Sequence, residues 1–150
     1  MLLMRRTAAV VSLLMLLLWS LATVLLTLLP GESIQPQVSR AIAKLGHVVL
    51  FGGWALLAGL SVVALRGMQR LNLRLLWIAA VTFGAIIEIL QTALPFSREG
   101  SLLDVVINAV GVSAACLVLR KVQKDYAARK IAAGGKREAV LQPVASVDEH

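Results

Sequence analysis

Charge is what this chain has least of. Of its 150 residues, 15% are charged and 59% hydrophobic, where soluble domains carry about 25% and about 45–50%. Mean hydropathy is +0.84. The shortage is also uneven, because charge is almost missing from long apolar blocks that each approach the ~20 residues a bilayer crossing needs. A soluble core of this length is therefore excluded, and one membrane domain fills the chain. Cysteine is nearly absent too. The single Cys116 cannot form an internal disulfide and offers no CxxC or Cys/His metal spacing; it reads as a small buried residue. Aromatics make up 5% of the chain. No basic stripe interleaved with aromatics exists, so the net charge of +7 does not point to nucleic acid. Cations of a membrane protein gather at its cytoplasmic helix ends instead.

Taken in order, a basic head (Met1–Arg6) precedes an uncharged run over 7–29. A secretory signal has the same order, but its apolar core spans only about 7–15 residues before a small-x-small site. This run is longer and ends Leu28-Leu29-Pro30-Gly31, so the sequence predicts an uncleaved first span, and the Arg5-Arg6 pair has nothing else to mark a twin-arginine signal. A polar loop with Pro30, Gly31 and Pro36 follows, then spans over 45–65, 75–94 and 102–119. Gly52, Gly53 and Gly59 in the second span invite close helix approach. The predicted fold is all-α: a four-helix transmembrane domain over 1–119 and a basic tail over 120–150, with disorder expected after 134. Trp19, Trp54 and Trp77 read as packing or interfacial anchors, Trp77 fitting an inner aromatic belt.

Twelve of the fifteen Lys and Arg residues fall on one side of these four spans; only Arg40, Lys44 and Arg98 fall on the other. The positive-inside rule then puts both termini in the cytoplasm and the loops 30–43 and 95–100 outside.

One stretch breaks the apolar pattern. Glu88 and Gln91 are spaced i, i+3, and Asp104, Asn108 and Gly111 are spaced i, i+4, i+7, so each set shares a helix face. A carboxylate facing lipid costs about 2.5–3.5 kcal/mol at a helix centre. Such residues point at one another, at water or at a ligand. Glu88 lies roughly 9 Å below the outer end of span three at about 1.5 Å per residue. Asp104 and Asn108 begin span four, and Lys44, His47 and Phe51 begin span two. Topology thus brings Lys44, His47, Glu88, Gln91, Arg98, Asp104 and Asn108 to one depth, in a polar pocket among helices two, three and four.

The order Lys44-x2-His47-x3-Phe51, then Glu88-x2-Gln91-x3-Pro95-x2-Arg98-x2-Ser101-x2-Asp104-x3-Asn108-x2-Gly111, resembles the VanZ-like family of small bacterial membrane proteins. The likeness covers Lys44 to about Leu119. It departs at Ala115, where relatives often carry a second glycine. The resemblance implies a multi-pass protein of the bacterial cytoplasmic membrane, in a family associated with resistance to glycopeptide antibiotics such as teicoplanin. It implies fold and site rather than a particular reaction.

Several roles suit these residues. In a catalytic one, His47, Glu88 and Asp104 serve as acids and bases. Lys44 and Arg98, with Gln91, Ser101 and Asn108, then hold a lipid-linked or cell-envelope anion. Ser101 at a helix start is otherwise an N-cap. His47, Glu88 and Asp104 are also ligand types, but no HExxH or other paired spacing supports a metal, so no metal or cofactor is expected. The alternative is a non-catalytic scaffold or lipid-binding protein whose polar groups satisfy one another. A small transporter is disfavoured because the ionisable groups stop in the outer half. The basic segment 120–130 suits anionic lipid of the inner leaflet.

Overall fold

The computed structural model describes residues 2–28, 40–94 and 101–141, with 2–5, 40, 41, 43 and 134–141 as backbone only. Four helices account for nearly all of it: α1 (Leu2–Leu28), α2 (Arg40–Arg66), α3 (Leu73–Ala93) and α4 (Leu102–Leu141). All four contain stretches long and apolar enough to cross a bilayer: Arg6–Leu28, Lys44–Arg66, Leu73–Ala93 and Leu102–Ala133. The chain is a multi-pass membrane protein.

Its burial pattern is that of a protein dissolved in lipid. Leu17 and Leu117 are each 65% exposed, whereas Thr23, His47, Glu88, Gln91 and Asn108 are buried. Water would drive the leucines inward; acyl chains solvate them as well as a core does. Polar groups then gain by turning inward, where they find partners that lipid cannot offer.

α2 is the hub, packing against α1, α3 and α4. Hydrogen bonds set its antiparallel register on α1. The Trp19 indole donates to Leu50 O (2.8 Å), the Trp54 indole to Ser20 Oγ (2.9 Å), and Ser61 Oγ to Ser12 O (3.2 Å). Trp77 likewise donates to Ser113 Oγ (2.9 Å), joining α3 to α4. All three tryptophans therefore anchor neighbouring helices. α2 and α4 run parallel and cross backbone to backbone. A Cβ on Gly52 would stand 3.0 Å from Gly111 O, and one on Gly111 would run into the Val48 carbonyl and Cα. The apolar core beside this crossing is Phe51, Ala55, Ala80, Ile87, Val112 and Ala115; Ala115 fits there with its methyl buried.

The turn from α2 to α3 is short. Gly67, at φ 87° and ψ 159°, takes a conformation that side chains resist, and a 3₁₀ turn over Met68–Arg70 follows. Asn72 then caps α3, its Oδ1 accepting from the amides of Arg74 (3.0 Å) and Leu75 (3.1 Å). Gln123 of α4 ties the turn down, Nε2 donating to Leu71 O at 2.9 Å.

The fourth helix runs on beyond Leu119, as the spacing over 120–132 allows, and through Gly134 and Gly135 to Leu141. Each glycine costs a helix about 1 kcal/mol relative to alanine. The flanking Ala132, Ala133, Lys136, Arg137, Glu138 and Ala139 are strong helix formers that offset it.

Candidate functional site

Three helices contribute one side chain each to a buried chain of hydrogen bonds. Asn108 of α4 stands in the middle. Its Nδ2 donates to Glu88 Oε1 of α3 at 3.3 Å, and its Oδ1 lies 3.0 Å from His47 Nδ1 of α2. The same His47 nitrogen is 3.6 Å from Glu88 Oε1. Both neighbours of Nδ1 are acceptors, since the asparagine amide is oriented by donating its own hydrogens to a carboxylate. In a neutral His47 the network places the ring proton on Nδ1, which makes Nε2 the acceptor nitrogen.

Glu88 receives a further bond from outside its helix. The backbone N–H of Ser101 donates to Oε2 at 3.2 Å, while Ser101 Oγ accepts from Leu103 N at 3.2 Å. Ser101 is thus an N-cap, as its place at a helix start suggests, and it also supplies the carboxylate through its main chain. Phe51 stacks beside His47, ring centroids 6.1 Å apart. Beneath Asn108 lies Gly84, where a methyl group would sit 3.4 Å from Asn108 Cβ and Nδ2. That is ordinary contact, so a methyl group there would fill the space beside Asn108 without crowding it.

Asp104, half-buried in the first turn of α4, completes the group: one ligand atom each of His47, Glu88 and Asp104 lie within 4.8 Å of one another. Among the described residues, these three are the ones grouped closely enough to hold a metal. A tetrahedral ion with bonds of about 2.1 Å keeps its ligands about 3.4 Å apart, so the set as it stands is loose for one.

Of the residues expected at the site, His47, Glu88, Ser101, Asp104 and Asn108 converge. Gln91 is buried but also serves another helix: its Nε2 donates to Thr27 O of α1 at 2.6 Å. Lys44 is exposed, one turn from His47. Arg98 lies outside the described residues. The Ser101 amide escaped the sequence reading, since it belongs to no side chain. None of the three cavities described for the chain is lined by a member of this cluster. Among the described residues, no buried side-chain nitrogen or oxygen lacks a partner.

No protein-family model, no curated protein and no solved structure matches this chain.

Proposed function

We propose that this chain is a VanZ-like integral membrane protein of a bacterial cytoplasmic membrane, with both termini inside. It binds or modifies an anionic lipid-linked or cell-envelope component at the outer face and thereby influences sensitivity to glycopeptide antibiotics. The observation that carries the reading is the His47–Asn108–Glu88 chain with Asp104 beside it. Titratable groups from three helices are costly to collect inside a membrane protein, and intramembrane ionisable residues mark functional sites by default. A neutral His47 offers Nε2 as a base, Glu88 and Asp104 are the acid or base partners, and Lys44 and Arg98 are assigned to the anion. Orientation rests on the one-sided distribution of Lys and Arg.

A non-catalytic scaffold is the second reading. Its support is the complete pairing of the described buried polar atoms. The two readings separate in Glu88→Gln and Asp104→Asn. For a working site, both variants lose the glycopeptide phenotype in cells at unchanged protein level and helicity. In a scaffold the amides keep hydrogen bonding and the phenotype survives; that outcome overturns the catalytic assignment.

A further inference from the structure

At the end of the bundle opposite the polar cluster, a cavity of about 630 Å³ opens between the start of α1, the end of α2, the 3₁₀ turn and the lower part of α4. Arg6, Arg66, Arg70 and Lys130 all line it, with Tyr126 and Gln69 as further polar groups. Among the described residues no carboxylate lines it, and none of the four cations has an ion-pair partner. Cations that only set topology gain nothing by converging. Here they come from four separate segments, and like charges gathered around one cavity repel, a cost that an anion offsets. The rest of the lining is apolar, including Ala9, Val63 and Met68, and Arg6 and Arg66 are the terminal residues of two bilayer-crossing stretches. The concavity therefore offers cations and an apolar wall together where a bilayer's hydrocarbon gives way to headgroups.

We infer that this cavity is a binding site for the phosphodiester headgroup of an anionic phospholipid. The arginine guanidinia and Lys130 take the phosphate oxygens, and an acyl chain lies along the apolar wall. The site is separate from the polar cluster and stands whatever that cluster does. It also differs from a diffuse attraction to the basic 120–130 segment, because three of its four cations lie elsewhere in the chain.

The test uses full-length protein, delipidated in a neutral detergent and followed by thermal unfolding. Phosphatidylglycerol should raise the melting temperature saturably, whereas phosphatidylcholine and inorganic phosphate at equal concentration should not. Arg6→Gln, Arg66→Gln, Arg70→Gln and Lys130→Gln should each weaken phosphatidylglycerol about fivefold. Arg74→Gln and Arg120→Gln, in a separate groove between α3 and α4, should leave it unchanged. An equal response to phosphatidylcholine, or equal losses in the two control variants, overturns the site. A matching response to inorganic phosphate overturns the lipid assignment. Should a variant unfold, native mass spectrometry of the wild type replaces it: bound phosphatidylglycerol must survive dilution and be stripped by high salt, and its absence from the spectrum refutes the proposal.

Discussion

At one end of this bundle a histidine, an asparagine and a glutamate turn inward and bond to one another, with Asp104 half-buried beside them. At the other, arginines and a lysine stand exposed around a cavity that, among the described residues, no carboxylate lines. The two arrangements answer the same constraint. Charge inside hydrocarbon must be paired within the protein, and the His47–Asn108–Glu88 chain does that at the cost of tight geometry. Charge at a helix end can keep its head in the headgroup layer while its stem covers apolar surface, so Arg66 and Arg70 need no protein partner. Buried and bonded polar residues should therefore be sensitive to small changes of shape, and exposed ones to changes of salt and lipid.

The contrast breaks most visibly at the helix crossing beside the cluster. Gly111→Ala pushes a methyl group into the Val48 backbone, which cannot rotate away as a side chain would. Overpacking of this kind costs about 1–3 kcal/mol or more, and unfolding in mixed detergent micelles should show the upper part of that range. Gly46→Ala is the matched control, because its added methyl meets nothing within 4 Å; it should stay within about 0.5 kcal/mol of wild type. Equal losses at both glycines would mean that helix approach at Gly111 is not limiting. Next in size is Asn108→Ala, which strips a donor from Glu88 and an acceptor from His47. Leaving such buried groups unmatched costs about 1–3 kcal/mol, measured in the same micelles. Trp77→Phe should be the mildest: it removes one exposed indole bond to Ser113, and interhelical bonds in membranes average about 0.6 kcal/mol. Metal analysis sharpens the comparison in another way. The loose spacing of His47, Glu88 and Asp104 leads us to expect less than one zinc or other divalent ion per purified chain; a stoichiometric ion would make the cluster a metal centre.

Much of this architecture was legible because hydrophobicity is long-range information along the chain. Four apolar runs set four helices, and the spacing of Glu88, Asp104 and Asn108 put them on faces that could meet His47. What the pattern could not tell was which neighbour each face meets. Glu88 and Gln91 share a side of α3, yet the carboxylate bonds to α4 and the amide donates to α1. That division depends on helix rotation and crossing, set where backbones meet at Gly52 and Gly111 rather than by the polar residues themselves. The reach of α4 past Leu119 was legible in the helical spacing of 120–132: composition marks where lipid solubility stops, while helical hydrogen bonding continues as long as propensity permits.

The bond from Gln91 to Thr27 carries one more consequence. Thr27 lies in the last described turn of α1, so the two helices are tied at one level by a side chain on one and the main chain of the other. Sliding α3 past α1 along the bilayer normal would break that tie, which makes the pair respond to bilayer thickness as a unit.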